Sequence, residues 1–275
     1  MTDNPVGPTQ ASRKRQRDLS QRQPKWQKVE RDLVYVADEA AEKDLLLLAK
    51  IVKLKPGISA LDPNGNGSFD ILYAELFKSE FYEEEWSPWR DRRKFRFSEI
   101  TTEERAKELA ATLRKRAGRD EWGIESWLQT SVEKEMTVLA VTAPRDRKPC
   151  GFVTFKRTVS VYSGAKDSGC LSYRMKVDYL YVSRDRRGRR VSSMLRKAVD
   201  LLVGDDGYRL NKALSQRTLS RFARPIEISP TLYGEVHSDE GKRFLDGLCD
   251  DITANLDIWL SEKAEVWPTA SEYGW

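Results

Sequence analysis

Val177-Asp-Tyr-Leu-Tyr-Val-Ser-Arg-Asp-Arg-Arg-Gly-Arg-Arg-Val-Ser-Ser-Met-Leu-Arg-Lys-Ala-Val-Asp-Leu-Leu202 decides how the rest of the chain is read. Val177, Tyr179, Tyr181 and Val182 are β-favouring residues and predict a strand. Val191, Met194, Leu195, Ala198, Val199 and Leu202 recur at helical spacing and predict an amphipathic helix. Between them lies a turn with one glycine, Gly188, and five arginines, Arg184, Arg186, Arg187, Arg189 and Arg190. A strand that turns sharply into a helix gathers free backbone N–H groups at the positive end of the helix dipole. That arrangement suits a phosphate.

Upstream of this stretch, Lys94–Ile100 alternates like a strand. Thr101-Thr-Glu-Glu signals a helix start, with the helix ending near Gly118. A second helix spans about Trp122–Val132. Strands follow at Met136–Thr142, Gly151–Val161 and Leu171–Val182, separated by the turns Pro144–Pro149 and Ser163–Gly169. Downstream, Arg224–Val236 predicts a fifth strand with a bulge at Pro230. Ser238-Asp-Glu-Gly predicts a capped helix to about Leu248, and Asn255–Leu260 a last strand. Residues 203–222 read as a long helix-to-strand link beside the turn.

This order, with the turn motif, resembles the GNAT superfamily, the acyl-coenzyme A-dependent N-acetyltransferases, over residues 92–260. In motif A of that family the strand leads into Arg/Gln-x-x-Gly-x-Gly/Ala. Here Arg187 matches, Arg190 stands for the first motif glycine and Ser192 for the second small residue. A side chain at position 190 either crowds the pyrophosphate or points outward and binds it. Ser238, Gly241 and Phe244 follow the family's Asn-x-x-Ala-x-x-Phe-Tyr segment, with Leu245 where tyrosine is common. The resemblance implies an α/β (α+β) fold: a mixed, mostly antiparallel twisted sheet flanked by helices.

It also implies a chemistry, with acetyl-CoA as cosubstrate. Coenzyme A would lie with its pantetheine along Leu180, Tyr181 and Val182. Its pyrophosphate would lie at Arg187, Gly188, Arg189, Arg190, Val191 and Ser192. Asp178 is the general base best placed by sequence, with Glu235 and His237 as alternatives. Leu245 removes the usual thiolate acid, leaving Tyr233 or solvent. The acceptor is an amine on a protein, an aminoacyl-tRNA or a small molecule. The competing reading is a non-enzymatic GNAT-like or basic binding protein acting on nucleic acid or a protein partner.

The rest of the chain bounds these readings. A third of the 275 residues are charged, 39% are hydrophobic, and the net charge is +5. This predicts a globular composition that favours anionic partners. Cys150, Cys170 and Cys249 are odd in number and widely spaced. That argues against a disulfide framework or zinc site and predicts a reducing, cytoplasmic setting. No run reaches membrane-span length and no secretory leader is visible.

Residues 1–30 predict a disordered basic tail. Its Arg13-Lys-Arg-Gln-Arg17 suits a nucleic acid or an acidic protein. Residues 31–91 predict a helical extension, with helices at Arg31–Lys55 and Phe69–Phe81 and a tryptophan-bearing connector at 79–93. The resemblance implies a GNAT-like domain over residues 92–275. Asp62-Pro-Asn-Gly-Asn-Gly-Ser-Phe-Asp follows a calcium-loop spacing, but Tyr73 stands where the closing glutamate belongs. No metal is therefore assigned.

Overall fold

The computed structural model describes residues 54–73, 93–117, 123–165, 168–215 and 226–274, except positions 63 and 263, and the backbone of an N-terminal hairpin. The hairpin pairs β1 (Lys25–Val29) with β2 (Asp32–Val36). It takes up residues expected as tail and as the start of a helix. Residues 37–53, the rest of that expected helix, and the connector at 74–92 lie outside the described residues.

The domain is one mixed sheet with helices on both faces. Its strands are β3 (Ser68–Leu72), β4 (Lys94–Glu99), β5 (Thr137–Thr142), β6 (Gly151–Ala165), β7 (Ser168–Val182), β8 (Ile226–Glu235), β9 (Ala264–Val266) and β10 (Ala270–Gly274). They run in the order β10-β8-β7-β6-β5-β4-β3, with β9 also on β8. From β3 to β7 every neighbour is antiparallel; β8 joins β7 in parallel, as β9 and β10 join β8.

Helices α1 (Glu103–Ala117) and α2 (Ile124–Glu133) cover one face. Leu109, Leu113, Ile124 and Leu128 pack there on Val138, Ala140 and Phe152. Helices α3 (Val191–Ser215) and α4 (Asp239–Leu260) cover the other. Met194, Leu195, Val199, Leu248 and Ile252 seal Val153, Phe155, Val177 and Ile228. Each such side chain contributes about 1.5–3 kcal/mol when withdrawn from water. The predicted helix starts are capped: Thr102 Oγ1 accepts from Arg105 N at 3.3 Å, and Ser238 Oγ from Gly241 N at 3.1 Å. Among the described residues no helix is long and apolar enough to cross a membrane.

Four expectations are corrected. The predicted helix at Phe69 opens instead as β3, because Phe69, Asp70 and Ile71 find partners in Phe97, Arg96 and Phe95 of β4. The predicted strand Asn255–Leu260 is the last part of α4. The link from residue 203 is helical to Ser215. Gly204 and Gly207 do not break α3, because α4 crosses there: a Cβ on Gly207 would lie 2.9 Å from the Trp259 ring. Close helix approach offsets the roughly 1 kcal/mol that each helical glycine costs. Pro230 is not bulged; its pairing with Tyr173 is regular, and it sits between the segments of β8 that pair with β9 and β10.

Candidate active site

Strands β7 and β8 pair from Cys170↔Glu227 to Val177↔Gly234 and then part. The separation begins at a bulge. Thr154 of β6 pairs with Tyr179 but Phe155 with Val177, so Asp178 is the extra residue. A bulge bends and twists its strand. Buried Thr154 completes it by accepting the Tyr179 N–H on Oγ1 at 3.0 Å.

Beyond the bulge the peptide groups alternate. Ser183 N donates to Cys150 O of the β6 side at 2.8 Å. Antiparallel alternation then directs the backbone groups of Tyr181 to β6, and those of Leu180 and Val182 to the edge that β8 has left. Of the three residues expected along a pantetheine arm, Leu180 and Val182 present their peptide groups to the gap. Tyr181 does not, and its ring packs on Phe152 at 5.8 Å. The Val182 carbonyl already accepts from Arg187 Nε at 3.2 Å.

The turn follows directly. One 3₁₀ turn, Arg184–Arg186, leads through Gly188 at φ 71° and Arg190 at φ 60° into α3. Thus Arg190, standing at a glycine position of the resembled motif, adopts a left-handed conformation that glycine tolerates without cost. Arg187 N and Arg189 N turn inward to the carbonyls of Arg184 and Arg186, at 3.4 and 3.3 Å. They are not aimed at a ligand. The amides of Val191, Ser192 and Ser193 open the helix, where no intrahelical carbonyl can meet them.

The arginines divide in the same way. Arg186 is held by Asp146, which also pairs with Arg116 Nη2 at 3.3 Å; Arg116 Nη1 reaches Asp185 at 3.1 Å. Burial opposes ionisation of Asp185, but the Ser183 hydroxyl and the Arg116 and Arg186 guanidiniums hold its carboxyl below the usual range. This network ties the turn to α1 and to the β5–β6 hairpin. Arg184, Arg187, Arg189 and Arg190 are exposed.

Asp178 stands where the strands part, its side chain 11% exposed and ion-paired to Lys176 Nζ at 2.8 Å. Tyr233 pairs in register with Lys176 across the last joined rungs. Glu235 and His237 lie 3.6 Å apart, with side chains 81% and 76% exposed. Leu245 is buried against Gly234, whose added Cβ would meet Leu245 Cδ1 at 3.0 Å. The position of the family's tyrosine is therefore packed core.

Sequence reasoning missed two cavities that flank the turn. One, of about 250 Å³, lies between the N-termini of α3 and α4 and includes Ser193, Arg196 and Arg243. The other, of about 410 Å³, lies towards β5, β4 and β3 and includes Tyr73, Arg93 and Arg145. Gly188, Arg189, Arg190 and Val191 of the expected turn also line the second. Among the described residues no group of three His, Cys, Asp or Glu side chains is placed to hold a metal. The Asp62 carboxylate accepts from the backbone amides of Asn64 and Gly67.

The chain thus carries a GNAT-like fold: the antiparallel β4–β7 run, the parallel β7–β8 pair that parts at a bulge, and the strand–turn–helix beside it. No protein-family model and no curated protein matches the sequence. Solved structures do match. One is a ribosomal-protein-alanine N-acetyltransferase from Brucella melitensis biovar Abortus 2308, at 17% identity and TM-score 0.31, covering 56% of this chain and 89% of that one. A putative acetyltransferase of the GNAT family from Desulfovibrio desulfuricans matches at 12% identity and TM-score 0.26, covering 41% and 65%. A mutant of the AtaT toxin, bound to the C-terminus of the antitoxin AtaR and to acetyl-CoA, matches at 16% identity and TM-score 0.26, covering 48% and 73%.

Proposed function

We propose that the protein is an acetyl-CoA-dependent N-acetyltransferase. The observation that carries this reading is the parting of β7 from β8 at Asp178, immediately before a turn that opens a helix with unsatisfied amides. The gap offers Leu180 and Val182 peptide groups to a pantetheine arm, in the manner of an added strand. The amides of Val191, Ser192 and Ser193 suit its pyrophosphate, with the exposed Arg189 and Arg190 supplying charge. Arg187 holds the Val182 carbonyl and so couples the strand end to the turn.

In the reaction a neutral acceptor amine attacks the thioester carbonyl. Asp178, oriented by Lys176, takes the amine proton directly or through water. An N–H at the open edge of β7 stabilises the oxyanion. Collapse transfers the acetyl group and expels the coenzyme A thiolate, protonated by Tyr233 or solvent, since Leu245 has no hydroxyl. The acceptor amine belongs to a protein, an aminoacyl-tRNA or a small molecule.

Native mass spectrometry of the purified protein tests the reading. A retained mass of coenzyme A, or a complex on adding acetyl-CoA, is expected. Failure of either coenzyme to bind, with a folded protein, rejects it. Binding without acetyl transfer to any amine would make the chain a GNAT-like binding protein, the reading that the buried Leu245 favours.

A further inference from the structure

The smaller cavity, of about 250 Å³, adjoins the turn and has a chemistry of its own. Ser192 and Ser193 form its α3 wall, and their amides are among those that suit a pyrophosphate. Arg196 lies about one helical turn further along that wall. Arg243 enters from α4, beside buried Phe244. Two guanidiniums from two helices therefore line one small space.

Each is prepared differently. Arg196 is fixed: its Nε ion-pairs with Asp251 at 3.1 Å, and its Nη1 lies across Gly247, where any side chain would strike it. Glycine inside a helix weakens the helix. Here the missing side chain is what lets Arg196 lie between α3 and α4. The Asp251 contact uses Nε and leaves the terminal N–H groups for another acceptor. Arg243 is exposed and makes no ion pair among the described residues. Glu240, the one acid in the lining, is exposed and is not paired with Arg243. Positive charge is therefore in surplus about 5.4 Å along α3 from the amides that suit the pyrophosphate.

We propose that Arg196 and Arg243 bind the 3′-phosphate of coenzyme A and make the protein selective for the 3′-phosphorylated coenzyme. Beyond the pyrophosphate, on the side away from the pantetheine, coenzyme A carries a ribose with a phosphate on its 3′-oxygen. With the pyrophosphate on the amides of Ser192 and Ser193, that phosphate comes within reach of a long side chain one turn further on. A guanidinium fork matches two phosphate oxygens at once. The hydroxyls of Ser192 and Ser193 are further donors, and Glu240 is an acceptor for the ribose 2′-hydroxyl. The assignment rests on the transferase reading, but the cavity's hold on a ribose phosphate is measurable without it.

The test is calorimetry with coenzyme A and with 3′-dephospho-coenzyme A. Charge-assisted contacts to one phosphate predict that the parent binds coenzyme A about 10- to 100-fold more tightly. Arg243→Gln should cut that ratio by about fivefold or more, by weakening coenzyme A alone, and Arg243→Lys should keep part of it. Arg196→Lys, which retains a cation beside Asp251, should also lower the ratio. Arg145→Asn, in the cavity on the other flank of the turn, should leave it unchanged. Equal affinity of the parent for the two coenzymes overturns the proposal. So does an Arg243→Gln protein that loses both alike, or a ratio that falls with Arg145→Asn and holds with Arg243→Gln. Adenosine 3′,5′-bisphosphate separates this failure from failure of the transferase reading. If it binds and Arg243→Gln weakens it while neither coenzyme binds, the phosphate seat stands and the transferase reading falls. If neither it nor either coenzyme binds, both fall.

Discussion

Gly188→Ala isolates the conformation of the turn from everything else in the site. Gly188 holds φ 71°, and a Cβ built on it meets nothing within 4 Å. The substitution therefore adds no clash, only the torsional penalty of a left-handed L-residue, about 1–2 kcal/mol. If the turn relieves that strain by leaving its present conformation, the ligand-competent fraction falls by the same free energy. Coenzyme affinity then weakens roughly 5- to 30-fold. At a coenzyme concentration about 100 times the parent Kd, ligand stabilisation should drop from about 2.7 to between about 0.9 and 1.8 kcal/mol.

Calorimetry gives the Kd, and denaturant unfolding with and without coenzyme A gives the stabilisation. Arg190→Gly is the matched opposite. It removes the strain at φ 60°, so ligand-free stability should hold within about 1 kcal/mol despite the added glycine. A Gly188→Ala protein that loses stability yet keeps the parent Kd would refute the reasoning. It would show that the bend around Gly188 is not what the coenzyme selects.

Three further outcomes are expected. Asp178→Asn should lower kcat by about 10²- to 10⁴-fold in a thiol-release assay, with coenzyme Kd and stability little changed, because its partner Lys176 is more than half exposed. Arg157→Leu should cost about 3–5 kcal/mol in urea unfolding, by leaving buried Asp206 without its guanidinium. Cleavage near residues 55–57 should also rise, since Arg157 donates to the Lys55 and Gly57 carbonyls at 3.1 and 2.8 Å. For pH, burial raises the Asp251 carboxyl from 3.8 to about 6, against the pull of Arg196 and with the push of Asp200. The folded state then holds its proton longer than the unfolded chain, so this contribution is present below 3.8 and lost as pH rises through about 6. Burial moves Asp206 the same way, so Asp251→Asn should shrink that decline in unfolding free energy without abolishing it.

What was legible in the sequence was whatever local pattern decides. The alternation in Lys94–Ile100 and the capping signals at Thr102 and Ser238 correspond to real elements, as does the helical spacing from Val191. What was not legible depends on distant partners. Asn255–Leu260 alternates like a strand and becomes helix only because α3 offers Gly204 and Gly207 to Asn255 and Trp259. Ser68–Leu72 becomes a strand because β4 lies beside it. Within the site, the turn was visible as a charged junction between strand and helix. The bulge at Asp178 was not, since it is completed by a hydroxyl on β6. Nor does sequence say which arginines are spent internally, as Arg186 is on Asp146 forty residues upstream.

The helix starts separate function from folding at this turn. Helices α1, α2 and α4 carry acids in their first turns, Glu103 and Glu104, Glu125, and Asp239 and Glu240, which complement the helix dipole. Helix α3 has none, and arginines precede it at 187, 189 and 190. Each cation at that end costs roughly 0.3–1 kcal/mol where an acid would have gained as much. Arg190 adds the penalty of φ 60°. Strain and like charge therefore coincide on the one described helix whose N-terminus follows the parted strands. A chain selected only for stability would place glycine at 190 and an acid near Ser192. An anion bound there is attracted by the helix amides and by the arginines alike, which offsets the electrostatic penalty, and that offset is the physical reason to read this turn as a seat for phosphate.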